Sequence, residues 1–171
     1  MKKLLLVFAI AVFIFTTYSA NPIVDTNLCA SNENIVISFR MANSARRLSV
    51  LVAKDDSYIV YRYGTQNNVE LEYPADKRNA WNMFILNYSM YAGGGGHSLH
   101  FRNSGFEYEV FDIQSTSPGP DGLRLPNHYV GVEVTNLSTN RTTRLEGIPE
   151  GMIGNLYSLE NHRRIRLNQS F

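Results

Sequence analysis

The sequence predicts an all-β fold: a single antiparallel barrel or sandwich of about eight to ten short strands, with one short helical turn near the C-terminus. Three observations predict it. No apolar period of 3.6 residues is sustained after residue 20. Short runs rich in Val, Ile, Tyr and Phe recur between clusters of Gly, Asn, Asp and Pro. Strict alternation appears in Val69-Glu70-Leu71-Glu72-Tyr73 and in Phe106-Glu107-Tyr108-Glu109-Val110-Phe111, as in a sheet with one wet face.

Residues 1–20 read as a cleaved secretory signal: Met-Lys-Lys, an uncharged apolar run from Leu4 to Phe15, then Thr16 to Ala20. The apolar run is too short for a transmembrane helix, which needs ~20 residues, so no membrane span is expected after cleavage. Leu28, before Cys29, lacks the small-residue approach of a lipoprotein cysteine. Residues 21–171 then form a single β domain, periplasmic or secreted, of a size that buries about two thirds of its unfolded surface. Four Asn-x-Ser/Thr sequons, at Asn87, Asn136, Asn140 and Asn168, are glycosylation acceptors only in a eukaryotic secretory route. Cys29 is the single cysteine, so no internal disulfide forms and the thiol is expected buried. The net charge of +1 becomes −1 when Lys2 and Lys3 leave with the signal, which predicts no nucleic-acid binding.

The candidate strands are 35–41, 47–53, 58–63, 69–73, 83–91, 98–102, 106–113, 129–135 and 142–146. Lys54 to Ser57, Gly64 to Asn68 and Ser104-Gly105 are hairpin turns, so sequential strands should pair. Glu70, Glu72, Glu107 and Glu109 should face solvent. Gly93 to Gly96 reads as a bent hairpin connection, and Gln114 to Pro126, with three prolines, as an exposed loop able to carry function. Pro74 to Ala80 is a second long connection. Residues 154–160 suggest the short helical turn, before a basic end strand.

No catalytic motif is present, and no cofactor is implied. The glycine run is followed by a strand rather than the helix N-terminus that a phosphate loop needs. His97 and His100, three apart on a strand, point to opposite faces and cannot share one metal ion. Arg141, Arg144, Arg163, Arg164 and Arg166 make the C-terminal third basic, giving a dipolar surface. An integral membrane barrel would need longer apolar strands than most of these runs.

Residues 58–112 resemble a group of uncharacterised exported proteins of Gram-negative bacteria. The resemblance rests on Tyr58-Ile59-Val60-Tyr61-Arg62-Tyr63-Gly64-Thr65, Val69 to Pro74, the glycine run and Ser98 to Asn103. It implies a periplasmic β protein and no assigned activity. A shorter stretch, Ser104-Gly105-Phe106-Glu107-Tyr108, resembles the Ser-Gly-x-x-Tyr motif of periplasmic lysozyme inhibitors. That resemblance implies a loop entering the lysozyme cleft, with Ser104 and Tyr108, around Gly105, hydrogen-bonding the enzyme's catalytic carboxylates.

The expected function is accordingly that of an exported binding protein rather than an enzyme. Its most concrete form is an inhibitor of lysozyme or another peptidoglycan hydrolase, or an immunity protein against a rival's toxin. The alternatives are a periplasmic hydrolase built from scattered His and carboxylate groups, and an envelope or adhesion component. A hydrolase should gather His and Asp/Glu in one concave pocket, whereas an inhibitor should project Ser104 and Tyr108 from a convex tip.

Overall fold

The computed structural model describes residues 27–170, so the signal predicted over residues 1–20 lies outside the described residues. The described chain is mostly β. Its strands are β1 (Glu33–Met41), β2 (Arg47–Ala53), β3 (Ile59–Thr65), β4 (Asn68–Tyr73), β5 (Ile85–Tyr91), β6 (Gly94–Asn103), β7 (Phe106–Pro118), β8 (Arg124–Asn136), β9 (Arg141–Gly154) and β10 (Arg166–Ser170). Two 3-10 turns, Ala80–Met83 and Leu156–Leu159, are the helical elements. No helix among the described residues is long and apolar enough to cross a membrane.

Strands β1 to β4 and β5 to β9 form two antiparallel meanders, as the short turns between them dictate. Pairing of β9 with β1 fuses them into one ten-stranded sheet in the order β10-β5-β6-β7-β8-β9-β1-β2-β3-β4. The sheet curls into a half-barrel. One pairing departs from the antiparallel expectation: β10 runs parallel to β5. It does so because a crossover, not a tight turn, delivers it; the 3-10 turn Leu156–Leu159 packs against both β6 and β1 before the chain reaches the β5 edge.

The curl is held by its interior. Alternating residues of β1, β2, β5 and β6 face inward, among them Ile37, Phe39, Leu48, Val50, Leu86 and Leu99, all fully buried. Phe101 of β6 is the hub of an aromatic stack. Its ring lies 4.6 Å from Tyr73 of β4, 4.7 Å from Tyr108 of β7, 4.9 Å from Tyr61 of β3 and 5.3 Å from Phe84. Strand β4 is one end of the sheet and β6 lies near the other, so these contacts are what close the curl.

The back of the β1–β3 region is covered by residues 27–32. Cys29 is buried there, against Leu51 and Val60, as expected for the thiol. Below it, Arg62 and Glu33 are 3% and 4% exposed and form a bidentate ion pair. The remaining hydrogen-bonding capacity is taken up nearby. Arg62 also donates to Glu72 at 2.6 Å and to the Leu28 carbonyl at 2.9 Å. Glu33 also accepts from the Ala30 N–H at 2.8 Å and the Tyr58 hydroxyl at 2.9 Å.

Two sequence expectations are corrected. The glycine run is not a hairpin connection: Gly93, at φ 93°, lies in the turn, whereas Gly94 to Gly96 belong to β6 and pair with Ser115 to Ile113 of β7. Glycine is required because β6 and β7 approach too closely for side chains; a Cβ on Gly96 would sit 2.3 Å from the Asp112 carbonyl oxygen. Likewise, Gln114 to Pro126 is not a loop, since β7 runs to Pro118 and β8 starts at Arg124. Pro126 is tolerated in a strand because β9 pairs only with Gly131 to Asn136, leaving the start of β8 as an edge. Gly96→Val should therefore break the β6–β7 register near Asp112 and lower stability by about 2–3 kcal/mol, as overpacking does, measured by denaturant unfolding. An unchanged midpoint would refute the close approach.

Candidate functional site

The inner face of the half-barrel changes polarity along its axis. The cross-strand row Leu86, Leu99, Val110, Val132 is wholly apolar and buried. The next row toward one open end is Tyr88, His97, Asp112, Val130, and the row after it is Met90, Gly95, Gln114, His128. These polar groups thus converge where β8 and β9 part company, since residues 141–146 of β9 pair with β8 whereas its later residues pair with β1. The result is a cleft of about 1190 Å3, floored by the glycine run and completed by Pro149, Glu150 and Tyr157.

Two imidazoles define its chemistry. His128 Nε2 lies 2.7 Å from Asp112 Oδ1, and Asp112 is only 6% exposed. The other carboxylate oxygen, Oδ2, accepts the Leu156 N–H at 2.9 Å and so ties the C-terminal 3-10 turn to the site. His97 is 7% exposed, stacked on the Tyr88 ring at 4.9 Å and met edge-on by the Tyr157 ring at 5.7 Å. Its Nε2 has no hydrogen-bond partner among the described residues, although Glu160 Oε2 stands 3.5 Å away. A buried polar atom left in this state costs about 1–3 kcal/mol.

Among the described residues, no Ser or Thr hydroxyl is hydrogen-bonded to His97 or His128. No group of three His, Cys, Asp or Glu side chains among the described residues is arranged to hold a metal ion. His97 and His100 do point to opposite faces. His100 lies outside, bonded to the Ser98 hydroxyl at 2.8 Å. The outward glutamates find cations or histidine there: Glu107 meets Arg102 at 3.2 Å and Glu109 meets His100 at 3.5 Å.

The residues marked by the Ser-Gly-x-x-Tyr resemblance separate in space. Ser104 and Gly105, at φ 50° and 82°, form the exposed two-residue turn between β6 and β7. Tyr108 does not share that tip. Strand alternation turns it inward opposite Phe101, with the two rings parallel to within 1°, and burial raises its phenol pKa.

The cleft itself was not anticipated, yet a signal for it exists. In Leu86-x-Tyr88, His97-x-Leu99, Val110-x-Asp112 and His128-x-Val130 the inward phase of each strand switches from apolar to aromatic or polar at one end. With that geometry in place, comparison with known proteins adds no assignment: no family model, curated protein or solved structure matches this chain.

Proposed function

We propose that this protein is a binding protein whose ligand is a small molecule held in the concave cleft at the open end of the half-barrel. The observation that carries the reading is the convergence of buried Asp112 and His97 with half-buried His128 on one cavity, with His97 Nε2 left without a hydrogen bond. Buried polar groups are ordinarily hydrogen-bonded, so an orphan in the wall of a large cleft supports a missing partner supplied by a ligand.

The test is a thermal-shift panel of neutral oligosaccharides, quaternary amines, dipeptides and nucleosides, run on the mature protein and on Gln114→Trp. Gln114 is exposed and lines the cleft, so tryptophan there fills the cavity without entering the core. A ligand at a hundred times its Kd contributes ~2.7 kcal/mol, or a Tm rise of roughly 5–10 °C at this chain length. The expected result is at least one class that raises Tm in the wild type and not in Gln114→Trp. A panel with no stabiliser, or stabilisation that survives the filled cleft, would refute the reading.

A second reading is favoured by the exposed Ser104-Gly105 turn: inhibition of an exported peptidoglycan hydrolase by that tip. It rests on Ser104 rather than on Tyr108, whose ring is engaged in the inner stack. Inhibition of lysozyme on purified peptidoglycan at micromolar protein, lost in Ser104→Ala, would support it. Equal inhibition by the variant, or none by either protein, would remove the tip from consideration.

A further inference from the structure

We infer that the cleft is a saccharide site, taking a neutral polyhydroxylated chain of more than one ring; this rests on the cleft-binding reading above. The ligand class follows by elimination among chemistries that the lining groups can satisfy.

An anionic ligand is disfavoured first. Asp112, Glu150 and Glu160 are the carboxylates at or beside the cavity wall around His97, whereas the cation at the cleft, Arg124 beside Gly93, is turned onto Thr116. A phosphate or carboxylate there would meet like charge in a partly desolvated space. A wholly apolar ligand fits no better. It would strip water from His128 and the carboxylates and return no hydrogen bond.

A cation could be drawn by the carboxylates, but it serves the site incompletely. Both oxygens of Asp112 are already engaged, by His128 and by the Leu156 N–H. An ammonium offers donors alone, so it satisfies His97 Nε2 only in the tautomer where that atom accepts, and a quaternary amine satisfies neither tautomer.

A hydroxyl donates and accepts. It can therefore complete His97 Nε2 in either tautomer, and in the tautomer where Nε2 carries the proton it accepts from that nitrogen while donating to Glu160 Oε2, which stands 3.5 Å away. Nε2 is closed off by the surrounding side chains, and the Tyr157 ring stands edge-on to the imidazole, so binding requires that this ring swing aside to admit the hydroxyl and lie against the sugar. That ring is 61% exposed and free of the core, so its displacement uncovers little apolar surface. Tyr157 supplies an aromatic face at the cleft on which the C–H face of a sugar ring stacks. The volume of about 1190 Å3 exceeds the ~300–1,000 Å3 usual for a single small molecule, which favours an oligosaccharide.

The experiment is isothermal titration of the mature protein with N,N′,N″-triacetylchitotriose, maltotriose and cellotriose, each to about 1 mM, and with choline as the cationic comparator. At least one trisaccharide should bind. Its affinity should fall at least about tenfold in His97→Phe and in Tyr157→Ala, equivalent to ~1.4 kcal/mol each. His97→Phe keeps the ring stack and removes the orphan nitrogen, so its Tm should match or exceed that of the wild type. Tyr157→Ala, at an exposed position, should leave Tm unchanged and guards against a folding defect in the first variant. Choline binding without trisaccharide binding would overturn the saccharide inference and leave the cleft reading standing. Binding by no trisaccharide, or trisaccharide affinity unmoved in both variants, would overturn the inference too. The cleft reading itself fails only if the wider panel and Gln114→Trp fail.

Discussion

Replacing Arg62 by leucine is expected to cost ~3–5 kcal/mol of folding stability, the penalty for leaving a buried carboxylate without its partner. Arg62 and Glu33 are both almost fully buried, and their hydrogen bonds knit β3 to β4 and to the segment before β1. Loss of the guanidinium strands Glu33 among Ala30, Tyr58 and the Leu28 carbonyl. Glu33→Gln should cost somewhat less, because the amide keeps one acceptor while abandoning the charge. The double variant Glu33→Gln/Arg62→Leu should recover part of the loss, since the coupling lies in the pair. Chemical denaturation of all three variants checks this; equal, small losses would mean that the pair contributes little.

The same network sets a pH window. Burial alone would raise the Glu33 pKa, but the hydrogen bonds and charge of Arg62, with the Ala30 N–H, hold it below its ordinary 4.5. A depressed carboxylate pKa contributes stability that is present above 4.5 and is lost as pH falls through the folded-state value. At the alkaline end, burial and the hydrogen bond to Glu33 push the Tyr58 phenol from 10.0 to about 12. Its contribution is complete below pH 10 and disappears as pH rises through 12. Urea midpoints measured from pH 3 to 12 should fall at both ends in the wild type, with the acid limb flattened in Glu33→Gln. An acid limb of unchanged steepness in that variant would place the sensitive carboxylate elsewhere.

The second large effect is Phe101→Ala, expected at ~3–5 kcal/mol. Truncating the hub removes a large buried side chain and its ring contacts with Tyr61, Tyr73, Phe84 and Tyr108 together. Because those rings join opposite ends of one sheet, the damage should be directional. Amide exchange should accelerate most in β4, the edge strand that the stack holds in place. Uniform acceleration over the sheet, or a loss below about 1 kcal/mol, would show that strand pairing alone maintains the curl.

The strands of this protein are legible because their inward positions are apolar and their outward positions are charged. Val69 to Tyr73 and Phe106 to Phe111 carry that alternation openly, and their glutamates do face outward. The glycine run and the proline-rich stretch suggest connections because both residue types ordinarily end strands. Here Gly94 to Gly96 are in a strand because two backbones approach closely, and Pro126 is in one because its strand has an open side. Both are consequences of tertiary packing that local sequence does not encode. Ser104-Gly105 was legible as a turn, but the inward aim of Tyr108 follows from the phase of β7, set by Val110 two residues on.

The cleft was harder to see for a different reason. His97, Asp112 and His128 are far apart in sequence, and each looks like an ordinary strand residue. Only the register Tyr88 to His97 to Asp112, with His128 one row beyond, brings them to the same face and the same end of the half-barrel. Glu160 and Tyr157 join them through the 3-10 turn that Asp112 anchors.

The most direct test of a ligand cleft at this end is imidazole NMR of protein labelled at its four histidines, titrated with whichever compound the panel identifies as a stabiliser. The account predicts that His97 and His128 resonances move together and saturate with one Kd. Those of His100, on the outer face, and of His162, bonded to Asp56 at 2.9 Å and stacked on Trp81, should stay in place. Shifts confined to His100 or His162, or no imidazole shift at saturating ligand, would contradict it.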